Sequence, residues 1–131
     1  MGGIRPRVDT RSKILSRDAA LALPPPLTLV TGYFDILLAE HARAFQQARD
    51  RAPAQPLMVV ILTGLRPVLN PRARAELVAA LRMVDYVVTA DDGDRDSLIE
   101  ALKPAQLVRL EAADQSRARQ LREHVQRRQT R

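Results

Sequence analysis

Four short apolar runs, separated by stretches with helical spacing, organise this chain. Residues 27–31, 57–62, 85–89 and 106–110 are rich in Val, Leu and Ile, and their length and composition predict buried strands. Residues 37–51 repeat apolar positions at helical period, with Phe45 and Ala48 on the inner face. The same spacing predicts a helix over 72–83 with Leu77, Val78 and Leu81 inward, another over 96–102, and a closing helix over 112–128. Pro24-Pro25-Pro26 ends any helix begun over 17–23, because proline removes a donor and restricts the residue before it. Segments 51–56 and 63–71, rich in Pro and Gly, read as loops. Strands alternating with helices imply βαβ units, a parallel sheet and right-handed crossovers. The expected fold is therefore α/β: a Rossmann-like three-layer α/β/α domain with a four- to five-stranded parallel sheet. In such sheets a ligand sits beyond the carboxyl ends of the strands, at the topological switch point. Residues 32–41, directly after the first strand, fall there.

Composition narrows this picture. A chain of 131 residues makes one domain. Aromatics are only 3%, so Leu, Val, Ile and Ala must build the core. No apolar stretch reaches membrane-spanning or signal-peptide length, and there is no cysteine. The expectation is a cytoplasmic protein with no membrane partner, disulfide or thiolate metal site. The net charge of +6 is uneven: residues 1–17 carry five basic groups against Asp9, and 115–131 carry six arginines against Glu123. The remainder, 18–114, has ten basic and thirteen acidic groups and sums to −3. This divides the chain into a basic amino-terminal arm (1–17), a domain (18–114) and a basic carboxyl-terminal helix or tail (115–131). Such ends are able to engage nucleic acid or an anionic surface through phosphate contacts. The preferred reading is solvated tails, because Lys13 and Lys103 are the only lysines and arginine bias accounts for the basicity.

A strand that turns through glycine into a helix is where α/β proteins hold phosphates, since the first-turn N–H groups and the positive macrodipole end face the ligand. Here the turn reads Thr31-Gly32-Tyr33-Phe34-Asp35-Ile36-Leu37-Leu38-Ala39-Glu40-His41. These residues resemble the signature of the cytidylyltransferase-like nucleotidyltransferases: Gly-x-Phe-Asp, three residues, then His-x-Gly-His. Gly32, Phe34, Asp35 and the last histidine, His41, are present. The resemblance extends over about 13–114 and is to the ADP-heptose synthase and glycerol-3-phosphate cytidylyltransferase branches. Arg66 to Pro71 looks like an Arg-Pro-Val-Asn-Pro stretch with one insertion. Arg74 falls on the helix that carries a functional arginine if one residue is missing before it, and Arg82 matches a second arginine.

The resemblance implies attack by a phosphate oxygen on the α-phosphate of a nucleoside triphosphate, with pyrophosphate leaving and magnesium assisting. Protein groups supply positioning and positive electrostatics. The candidate nucleotide- or phosphate-binding residues it implies are Gly32, Tyr33, Phe34, Asp35, His41, Arg74 and Arg82. His41 is the catalytic candidate, Asp35 a holder of magnesium or a substrate hydroxyl, and no metal ligand set is assigned. The expected partner is a nucleotide or phosphorylated small molecule, and relatives suggest a homodimer.

Four departures weigh against ordinary catalysis. Leu38 replaces the first histidine and cannot bond a phosphate. Glu40 replaces the glycine, and two unit charges 4 Å apart repel by about 4 kcal/mol at an effective dielectric near 20, roughly a thousandfold in binding. A Lys-Gly-Gly-Asp-like segment is reduced to Arg109-Leu110-Glu111, and the Ser/Thr-rich motif that opens the last helix is absent. Two readings follow: a catalytically impaired binding or assembly module with a degenerate phosphate motif, which is preferred, and an active transferase moving CMP or AMP from CTP or ATP to a phosphorylated sugar or polyol. The acidic run Asp91, Asp92, Asp94, Asp96 lacks a calcium-loop pattern, so Asp94 or Asp96 is read as a helix N-cap.

Overall fold

The computed structural model describes residues 9–64, 67–112, 119–120 and 123–125. All four expected strands form: β1 (Thr28–Gly32), β2 (Leu57–Leu62), β3 (Tyr86–Ala90) and β4 (Gln106–Arg109). They make one parallel sheet in the order β3-β2-β1-β4. Helices α1 (Arg17–Leu21), α2 (Ala39–Arg51), α3 (Pro71–Ala79) and α4 (Arg95–Leu102) cover it. Period-2 alternation sorts side chains between two cores. Val30, Leu57, Val59 and Ile61 pack with Phe45 and Ala48 of α2 and Ala75 and Val78 of α3. Leu29, Met58, Val60 and Leu62 pack on the other face with Ala20 of α1 and Leu98 and Leu102 of α4. The fold is a Rossmann-like α/β sandwich.

Two helices differ from their sequence reading. Helix α2 starts at Ala39 because Leu37 and Leu38 are still outside it, with Leu38 extended as N-cap. Helix α3 starts one residue early, where Asn70 accepts from the Ala73 N–H at 2.7 Å and Pro71 fills the first turn. It stops at Ala79, since Leu81 N–H→Val78 O and Val84 N–H→Leu81 O bonds turn the chain into β3. Its inward face is Arg74, Ala75, Val78 and Ala79, while Leu77, expected inward, is exposed. A buried arginine sets the helix phase.

Within residues 9–17, expected as the end of an arm, Ile14 and Leu15 lie against the sheet. Ile14 bridges Val87 in parallel, the Leu15 N–H donates to Val87 O at 2.7 Å, and Lys13 Nζ donates to Leu81 O. Residues 1–8, Arg66 and most of the basic tail, including the greater part of the expected closing helix, lie outside the described residues. Among the described residues no helix is long and apolar enough to cross a membrane.

Candidate functional site

The chain winds from β1 through β2 to β3 in one direction, then returns through α4 to place β4 on the far side of β1. This reversal makes the gap between the carboxyl ends of β1 and β4 the switch point. Its walls are the turn from Tyr33 to Leu38 and the residues after β4.

Gly32 is required by close approach rather than by its own dihedral angle. A Cβ there would stand 2.6 Å from Cζ and 2.8 Å from Cε2 of Phe34. The Phe34 ring folds back over Gly32 and is buried, edge-on to His41 (5.1 Å, 81°) and to Phe45 (5.3 Å, 61°). This conformation needs φ of 53° at Phe34, a left-handed value that costs a side-chain-bearing residue about 1–2 kcal/mol. Burying the ring offsets that cost. The Gly-x-Phe spacing is thus explained by packing alone.

The polar residues of the turn are engaged with backbone. Asp35 accepts the Val68 N–H at 2.7 Å through Oδ2 and the Leu69 N–H at 2.8 Å through Oδ1, clasping the β1–α2 turn to the β2–α3 loop. His41 is buried, and its Nδ1 accepts the Leu38 N–H at 3.0 Å. In the neutral ring that bond puts the proton on Nε2. Arg74 is 0% exposed and donates from Nη1 to Tyr33 O (2.8 Å) and Leu62 O (2.7 Å), from Nη2 to Thr63 O (2.8 Å) and from Nε to Leu69 O (3.1 Å). Four of its N–H groups therefore tie the β1–α2 turn to the end of β2 and to the β2–α3 loop. Burial lowers its pKa from the ordinary value, and Asp35 and Asp92 oppose that shift.

Acidic groups dominate the rim. Glu40 is exposed in the first turn of α2, where a negative charge complements the macrodipole. Asp92 Oδ1 accepts the Gly64 N–H at 2.9 Å and the Thr63 hydroxyl at 3.3 Å. Glu111 is buried and accepts from the Thr31 hydroxyl. Burial first, then the charges of Asp92 and Glu111, push the Tyr33 phenol above its usual value of 10.0, with Arg95 opposing. A raised folded-state pKa contributes stability that is full below the unfolded value and lost as pH rises through the folded one. The unaltered chain should therefore lose more thermal stability between pH 9 and 11.5 than Tyr33→Phe, as read from melting curves. Parallel curves would show that Tyr33 does not titrate late.

Gly32, Tyr33, Phe34, Asp35, His41 and Arg74 are thus brought together at the carboxyl edge. Arg82 is not: it is exposed in the turn after α3, at the amino end of the sheet, near where Asp85 accepts from Arg49 Nη1 (2.6 Å) and the Leu57 N–H (2.8 Å). Asp94 takes the N-cap position of α4 but makes no side-chain cap bond. Asp35, the carboxylate assigned to magnesium, has both oxygens on backbone N–H groups, and among the described residues no three His, Asp or Glu side chains form a metal-holding group. Open grooves of about 550 and 310 Å³ lie beside α3 and β3, away from the β1–β4 gap. The sequence placed Asp92 in an acidic run and Glu111 in the reduced segment after the fourth strand, without assigning either to the site.

No protein-family model matches the chain. Curated relatives do: the bifunctional protein HldE of Pelobacter propionicus is 34% identical over 110 residues, covering 73% of this chain and 22% of that protein. HldE of Helicobacter pylori is 32% identical over 115 residues (76% and 24%), and that of Geobacter metallireducens 31% over 105 (70% and 20%). The chain therefore spans about a fifth to a quarter of the length of these relatives. Among solved structures, a lipopolysaccharide core biosynthesis protein from Thermoplasma volcanium superposes with a TM-score of 0.57 at 24% identity, over 63% of this chain and 71% of that one. That likeness supports the fold.

Proposed function

We infer that the chain is a member of the cytidylyltransferase-like nucleotidyltransferase family, a reading supported by its likeness to the HldE proteins. On that premise, it is a member whose phosphate cradle is degenerate. It serves as a noncatalytic binding or assembly module, through its altered pocket or its basic ends, in the cytoplasm.

The observation that carries this reading is Arg74. The helix arginine that the resemblance assigns to phosphates is sealed from solvent and donates to four backbone carbonyls. Phosphoryl transfer relies on positioning and positive charge, so a cation committed to carbonyls removes the main electrostatic contribution. Two substitutions add to the reading. Leu38 offers no side-chain donor, and Glu40 puts a carboxylate at the α2 N-terminus, where an anion would bind.

Isothermal titration of the full chain with CTP and with ATP, each with magnesium, tests it. The unaltered chain should give no micromolar binding. Leu38→His with Glu40→Gly, which removes the repulsion and restores a donor, should raise triphosphate affinity at least tenfold. Micromolar binding by the unaltered chain, with pyrophosphate release when a phosphorylated sugar or polyol is added, would establish the transferase reading instead.

A further inference from the structure

We propose that Glu111 determines the ligand polarity of the switch-point gap, holding phosphoryl anions out by standing in their place. This rests on the reading above and goes further, because it assigns the exclusion to one residue outside the signature turn.

The placement follows from the strand pairing. The β1–β4 ladder ends with Thr31 opposite Arg109, and the Leu110 N–H continues it by donating to Thr31 O at 2.8 Å. The next side chain, Glu111, turns inward. It is 6% exposed, and its carboxylate accepts from the hydroxyl of Thr31, itself 0% exposed. Thr31 immediately precedes Gly32, so the carboxylate stands where the first strand passes into the signature turn. A carboxylate and a phosphate oxygen seek the same donors, hydroxyl and N–H. The Thr31 hydroxyl is one such donor, and Glu111 already uses it.

Charge reinforces occupancy. Glu111 is among the charges that raise the Tyr33 phenol, so its charge is felt within the signature turn. Arg95, the nearby cation, has its Nε on Asp96 at 3.1 Å. An incoming phosphate within about 4 Å of Glu111 would lose roughly a thousandfold in affinity at an effective dielectric near 20. Partial solvation of the gap reduces this, so at least tenfold is expected to be measurable.

The test compares the full chain with Glu111→Gln and Glu111→Ala, using inorganic pyrophosphate with and without magnesium in calorimetric titrations. Glutamine keeps the volume and the hydrogen bond to Thr31 and removes only the charge, so it carries the test if the alanine variant does not fold. Both variants should bind pyrophosphate at least tenfold more tightly than the unaltered chain, alanine the more so because it also vacates space. A merely structural glutamate would alter melting temperature and leave pyrophosphate affinity unchanged. That result, in variants with native circular dichroism, would overturn the assignment. The two proposals fail separately: triphosphate binding by the unaltered chain sinks the noncatalytic reading, while only an unchanged affinity in the variants sinks the role of Glu111.

Discussion

Arg74→Ala is expected to destabilise the protein by about 3–5 kcal/mol, because it strips four carbonyls of their donors and leaves a void where the buried side chain was. For a chain of this size that lowers the melting temperature by roughly 10–20 °C. The carbonyls of Tyr33, Leu62, Thr63 and Leu69 would each lose a charged donor. Arg74→Lys keeps the charge and loses the planar fork, so it should fall between the two. Arg72 is the control: it is exposed, bonded to Glu76 at 3.2 Å, and Arg72→Ala should change stability by no more than about 0.5 kcal/mol. Differential scanning calorimetry checks all three. An Arg74→Ala melting temperature within 3 °C of the unaltered chain would show that the guanidinium is not structural and would free it for a ligand.

Phe34→Ala is expected to cost about 3–5 kcal/mol, since its ring is buried against His41 and Phe45 at the base of the turn. Gly32→Ala alone should cost about 1–3 kcal/mol, because its Cβ would meet the Phe34 ring at 2.6 Å and the ring lies in a packed core. In the Phe34→Ala background the ring is gone, and Gly32→Ala should then cost little. The double-mutant cycle should therefore be non-additive by about 1 kcal/mol or more, read by urea denaturation. Additivity would mean that Gly32 answers to something other than Phe34, such as backbone approach by a ligand.

The strand at residues 57–62 was legible to the residue, because an apolar run bounded by Pro56 and Thr63 admits no other boundary. The switch-point location of the signature turn was legible as well, since strand–helix alternation fixes which strand ends face a ligand. Helix α3 shows where local pattern stops. Periodicity turned Leu77 inward, whereas a buried Arg74 rotated the face. An arginine on a helix reads as solvated until its acceptors are known, and one of them, Tyr33 O, lies 41 residues away.

The same limit governs the site. Sequence by itself determined the fold class, the position of the gap and the chemical identity of Leu38, Glu40 and Glu111, because each is a property of neighbouring residues. Tertiary structure alone decided what the polar groups do: Asp35 clasps amides 33 and 34 positions away, and Glu111 reaches a hydroxyl 80 positions back. Hydrogen bonds are short-ranged and directional, so their partners are chosen only when the sheet brings donor and acceptor atoms from distant segments within about 3 Å of one another.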